Sequence, residues 1–198
     1  GATMHEGPMS TALGLKGSPS EAETMRIKRD INILEYTGGR LHIPIISSAD
    51  SVKLIKEAKK KGLAITASTT PHHLMYTDEE ISCFDGTFKV EPPLRAKADR
   101  KALREALADG TIDGVCSDHR PENPENNDVE FVLSPNGIAG ISSTFPALLT
   151  ACEKADITRV IDAISNANRR IFNIPEVHIA EGDEAKITLF NPKGNHCC

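Results

Sequence analysis

Leu41-His42-Ile43-Pro44-Ile45-Ile46, then residues 50–61, then Leu63-Ala64-Ile65-Thr66-Ala67 form the stretch that decides how this chain folds. It begins and ends on short apolar runs. Between them Asp50 is placed to cap a helix whose Val52, Ile55 and Ala58 make one apolar side, and Gly62 stops that helix. Strand, helix and strand with short links make a βαβ unit, which requires parallel strands and a right-handed crossover. Pro44 donates no ladder bond, so an irregular first strand is expected.

Working outward, residues 1–19 are rich in Gly, Ser, Thr and Pro and read as loop. Ser20 followed by Glu23 fits a capping box, Met25, Ile27, Ile31 and Leu34 supply an apolar side, and Gly38-Gly39 ends the helix. Downstream, a turn-rich insertion spans about residues 71–96, a helix spans about 99–107, and Gly110 stops it. Ile112-Asp113-Gly114-Val115-Cys116 is a third strand that delivers Ser117, Asp118 and His119 at its C-terminal end. Residues 120–136 read as a long polar loop, 143–155 and 158–170 as two helices, and 188–190 as the opening of a final strand. Three parallel strands with intervening helices give an α/β layer that does not close on itself. Either the domain is open, or it belongs to something larger.

At 198 residues, with 39% hydrophobic and 26% charged residues, the composition is that of a soluble globular domain. A net charge of −5 gives no electrostatic footprint for nucleic acid. The basic run Lys59-Lys60-Lys61 falls at a helix end, where it complements the dipole. No apolar run reaches the length of a membrane span and no signal peptide is visible, so neither membrane nor export is expected. The five cysteines, Cys83, Cys116, Cys152, Cys197 and Cys198, show no C-x-x-C spacing, which points to a reducing compartment, by default the cytoplasm.

In parallel α/β folds functional side chains collect at the C-terminal ends of strands. The three such places are Ile45-Ile46-Ser47-Ser48, Thr69-Thr70-Pro71-His72-His73 and Ser117-Asp118-His119-Arg120. Asp118 suits a general base or a metal ligand, with a turn-capping aspartate as the plainer alternative. His72 and His73, if extended, point in opposite directions, and a structural histidine is the better reading of the pair. Phosphate-loop and nucleophile-elbow patterns are absent.

Taken together, His5-Glu6-Gly7, Gly14-Leu15 with Gly17, Thr70-Pro71-His72-His73-Leu74, Pro92-Pro93-Leu94-Arg95, Asp109-Gly110-Thr111-Ile112-Asp113 and Ser117-Asp118-His119 with Pro121 resemble the C-terminal part of a class I dihydroorotase, over about residues 4–192. The resemblance implies part of a TIM-type (β/α)8 barrel, about strands six to eight and their helices, over residues 1–178, with 179–198 as a tail or the start of a small C-terminal β region. It implies zinc held by histidines, a lysine or aspartate, and an eighth-strand aspartate. Zinc-activated water attacks a ring amide, interconverting dihydroorotate and carbamoyl aspartate in pyrimidine synthesis.

Carried over residue by residue, the resemblance leaves few of those groups. Asp118 matches the eighth-strand aspartate, both metal ligand and catalytic proton carrier. Ile45 stands where the sixth strand's ligand histidine is expected, and His42 matches an earlier non-ligand histidine. Glu122 replaces a substrate-contacting histidine, and Glu91 replaces the asparagine before Pro-Pro-Leu-Arg. Asn136-Gly137 matches a substrate-loop Phe-Gly pair in its glycine alone. A carboxylate at position 122 within about 4 Å of an anionic substrate costs roughly 4 kcal/mol at an effective dielectric of 20, and the plainer reading pairs Glu122 with Arg120. The resulting expectation is a non-catalytic homologue, self-associating or partnered with an aspartate carbamoyltransferase. A working zinc dihydroorotase completed by further residues and a hydantoinase- or dihydropyrimidinase-like hydrolase are the alternatives.

Overall fold

A computed structural model of the chain describes residues 2–153 and 155–191. In chain order the elements are β1 (Met4–His5), α1 (Pro8–Leu13), β2 (Gly17–Ser18), α2 (Ser20–Thr37), β3 (Leu41–Ile43), α3 (Ala49–Lys60), β4 (Ile65–Thr69) and α4 (Pro71–Met75). Two 3-10 turns follow at Asp78–Cys83 and Gly86–Phe88, then α5 (Lys97–Ala108), β5 (Gly114–Val115), α6 (Pro124–Asn127), α7 (Thr144–Ala151), α8 (Ile157–Ile164) and α9 (Asn166–Ile171).

The expected βαβ unit is present and parallel. β3, β4 and β5 lie in that order, with Leu41 opposite Ile65, Ile43 opposite Ala67, and Thr69 opposite Val115. Ile65, Ala67, Ser68 and Thr69 are all buried, which is what a central parallel strand covered on both faces requires. Around it Ile27, Ile31 and Leu34 of α2, Ile55 and Ala58 of α3, and Leu103 and Leu107 of α5 pack with Leu148 and Val160 into one core. Each large member contributes about 1.5–3 kcal/mol by leaving water. The proline in the first run ends β3 at Ile43, although Ile46 N–H still donates to the Ser68 carbonyl at 3.0 Å.

Several local expectations are corrected. Residues 1–19 are not plain loop: β1 and β2 pair in parallel around α1, with Met4 opposite Gly17. These pieces are two to six residues long, too short for a periodic pattern to show. A Cβ at Gly17 would sit 2.6 Å from the Glu6 backbone, so this crossing needs glycine. Ser20 is the first residue of α2 rather than its cap, and Glu23 turns elsewhere. Ser48, not Asp50, caps α3 by accepting from Ser51 N–H at 3.2 Å. His72 and His73 lie on α4, where successive side chains diverge by a helical step rather than a half turn, and both are buried. The helix expected over 158–170 breaks at Ser165 into α8 and α9. Residues 188–190 form no strand, and Cys197 and Cys198 lie outside the described residues. Cys83, Cys116 and Cys152 are free thiols. No helix among the described residues is long and apolar enough to cross a membrane.

Candidate functional site

Beside the C-terminal end of β3 lies a cavity of about 510 Å³ whose wall includes Glu23, His42 and Ile45, with Glu91, Arg95 and Arg120 from later segments. The segment after β3 supplies its floor. Ile46, Ser47 and Ser48 are buried, while Ile45 is half-buried and presents hydrocarbon to the cavity.

What holds this segment is a network that sequence reasoning missed. Glu23 reaches from α2 and accepts from Ser47 N–H at 2.9 Å, Ser48 N–H at 3.3 Å, Ser51 Oγ at 2.5 Å and Ser47 Oγ. Arg95 lies 3.6 Å from the same carboxylate and donates from Nε to Ser47 Oγ at 3.0 Å and from Nη1 to the Ser18 carbonyl at 2.8 Å. Nη1 also donates to Nδ1 of His5 at 3.2 Å, so that ring carries its proton on Nε2. Burial, and then the Arg95 charge, push the His5 pKa down. With both charged side chains nearly excluded from water, each partner is needed by the others. The available signal was the arginine of Pro-Pro-Leu-Arg and the glutamate of α2. Both stand in the recognised stretch, but no one-dimensional spacing relates them.

His73 is locked from both sides. Its Nε2 faces the Pro92 carbonyl at 2.9 Å and so must donate, which leaves Nδ1 to accept from Thr70 Oγ1 at 2.7 Å. Burial lowers its pKa, in keeping with that neutral tautomer. His72 beside it has a buried Nε2 without a hydrogen-bond partner, and burial pushes its pKa down to about 2. Both histidines are neutral packing residues. Burial also lowers the pKa of His42, whose Nδ1 lies 2.9 Å from Thr66 Oγ1.

Asp118 follows β5 with φ at 45°, a left-handed conformation that aspartate tolerates better than most residues. Its carboxylate meets Arg120 Nε at 3.1 Å, with the arginine half exposed. Arg120 therefore pairs with Asp118, not with Glu122 as expected. Glu122 is exposed, accepts from Asn126 Nδ2 at 2.9 Å, and is not part of the cavity wall, so the repulsion expected of it does not arise at that distance. Glu91 is exposed and does line the cavity. Asn136 is exposed, and Gly137 donates its N–H to the Lys89 carbonyl at 2.9 Å. A Cβ on Gly137 would lie 2.5 Å from the Arg120 carbonyl oxygen, so this glycine serves a close crossing of two chain segments. Lys89, with its pKa lowered by burial, anchors the same loop through the Val132 carbonyl at 2.9 Å and the Ser134 carbonyl at 2.5 Å.

The donor set does not fit zinc. A zinc site needs three or four nitrogen, sulfur or carboxylate donors converging at about 2 Å. Among the described residues no group of three or more His, Cys, Asp or Glu side chains is so placed, Asp118 faces a guanidinium, and Ile45 has no lone pair. The cavity wall carries Arg26, Arg95 and Arg120 against Glu23, Asp30 and Glu91, so it holds no excess of positive charge for an anion.

Comparison with known proteins places these features. The chain is 42% identical over 192 residues to a dihydroorotase of Anaeromyxobacter dehalogenans, covering 95% of this chain and 44% of that protein. It is 42% identical over 195 residues to one from Pelotomaculum thermopropionicum, covering 97% and 46%, and 39% identical over 199 residues to one from Thermus aquaticus, covering 96% and 47%. The chain thus spans a little under half the length of these relatives. Among solved structures it resembles the dihydropyrimidinase of Brevibacillus agri, with a TM-score of 0.77 and 27% identity over 90% of this chain and 41% of that one. A D-hydantoinase from a Bacillus species gives a TM-score of 0.76 and 26% identity over 92% and 41%. No protein-family model matches the chain.

Proposed function

On the premise that this chain matches a C-terminal stretch of the dihydroorotases, we propose that it forms strands six to eight of a dihydroorotase-type barrel without zinc chemistry at these positions. In this reading it is a cytoplasmic structural or regulatory homologue in pyrimidine synthesis, and a partner such as an aspartate carbamoyltransferase takes the benefit. One observation carries the proposal. Ile45 lines the cavity at the position where the sixth strand of such enzymes offers a histidine, while Asp118, the remaining ligand by resemblance, is held by Arg120. Hydrocarbon at one coordination point and an ion pair at another leave a metal nothing to bridge.

The test is zinc content and dihydroorotate hydrolysis of the full-length gene product. Less than one zinc per chain and no turnover are expected, and Ile45→His alone brings neither back. Stoichiometric zinc with turnover overturns the proposal in favour of a working hydrolase, the reading that the largely buried Asp118 carboxylate favours. Turnover of dihydrouracil or hydantoin instead assigns the related cyclic-amide class, towards which the structural likeness points.

A further inference from the structure

α2 is apolar on two sides. Ile27, Ile31 and Leu34 enter the core, yet Met25, Ile33 and Tyr36 on the outer side are 70%, 53% and 92% exposed. With Lys28, Arg29 and Asn32 they line one shallow groove along the helix. Positions 25, 29, 32 and 36 follow one another at steps of four, three and four, with 33 four after 29 and three before 36, so they form one stripe. An amphipathic surface helix buries one stripe, and a second one is left for another surface. Tyrosine, methionine and arginine are residue types that interface cores favour.

We propose that this stripe docks on the same stripe of a second copy, the two α2 helices running antiparallel about a two-fold axis that passes between Asp30 and Ile31. The stripe is complementary to itself when reversed. Met25 of one copy meets Tyr36 of the other, a sulfur–aromatic contact made twice. Arg29 meets Asn32, and Lys28 lies level with Ile33, within one helical turn of Glu35. Lys28 and Glu35 are seven residues apart and share one flank of the helix, and in an antiparallel pair like flanks face each other. Each copy therefore gives an ammonium and receives one. Glu35 already accepts from Lys61 at 2.7 Å in an exposed pair, and a carboxylate accommodates a second donor. This reversal symmetry is what selects a second copy over an unrelated protein. A one-helix contact sits at the small end of specific interfaces, below about 1,200 Å² in total, so the dimer is concentration-dependent.

Sedimentation velocity of the whole chain over a concentration series tests this, with circular dichroism to check that each variant folds. The wild type is expected to dimerise, and Tyr36→Glu to raise the dissociation constant by at least about tenfold. Lys28→Glu and Glu35→Lys each weaken the dimer several-fold, and the double variant regains most of the loss. A wild type that stays monomeric throughout overturns the proposal. So does a dimer indifferent to Tyr36→Glu, or a double variant no better than the single ones. Should another segment of a longer polypeptide cover the stripe, Tyr36→Glu lowers the stability of a monomer instead, and that result also counts against it.

Discussion

Two regions beside the cavity are built on opposite principles. On the side of α2 and β3, Glu23, Ser47, Ser51 and Arg95 are buried or nearly so and answer one another's hydrogen bonds. After β5, Arg120, Glu122 and Asn136 are exposed, and the largely buried Asp118 pairs with Arg120 two residues on. A buried polar group left without its partner costs far more than an exposed one, so the first side admits few replacements and the second admits many. The departures that the resemblance suggests fall at the less buried positions. Ile45 is half-buried and Glu91 and Glu122 are exposed, whereas Ser47 and Arg95, which match the pattern, are buried.

The sharpest way to break this contrast is to remove the buried cation. Arg95→Met leaves the Glu23 carboxylate without its charge partner, and a loss of about 3 kcal/mol is expected in urea denaturation. A loss below about 1 kcal/mol would show that the network does not support the fold. The histidines give a second, smaller handle. His72 is held neutral with a pKa near 2, while in the unfolded chain it titrates near 6.5. The unfolded state therefore binds the extra proton, so the stability gained from neutral His72 is complete above about pH 6.5 and declines as pH falls from there towards 2. The lowered pKa values of His5, His42 and His73 act in the same direction. Each site held neutral adds a slope of up to about 1.4 kcal/mol per pH unit. Denaturation midpoints at pH 7 and 5.5 should differ, and by less in His72→Phe; an unchanged difference would remove His72 from the account. The smallest effect belongs to the open side. Asp118→Asn breaks an ion pair whose arginine is half exposed, and a change under about 1 kcal/mol is expected in the same denaturation experiment. A larger loss would place Asp118 among the groups that hold the chain, and the contrast between the two sides would fail.

Much of the fold was legible because it depends on local patterns. Apolar runs at 41–46 and 63–67 around an amphipathic helix fixed the parallel βαβ unit, and Gly38, Gly62 and Gly110 stop their helices or turns in left-handed conformations that favour glycine. The short pieces β1, α1 and β2 escaped notice because segments this brief carry no period and are stabilised by Met4, Met9 and Leu13 packing on Ile81 and Phe131, far along the chain. The site was legible only in part. Ile45 and Glu91 line one cavity, whereas Asp118 and Glu122, neighbours of theirs by motif, are not in its wall, and Glu122 turns away to Asn126.

The order of residues by itself determined the parallel βαβ unit, its main helices and the identity of each group available to the cavity, since propensity, period and side-chain chemistry are properties of the chain alone. Only the tertiary structure decided which charges meet. Glu23 joins Ser47 and Arg95 across 24 and 72 positions, and Asp118 joins Arg120 rather than a metal's other ligands. Electrostatic and hydrogen-bond energies depend on distances of a few ångströms, and separation along the chain does not encode them.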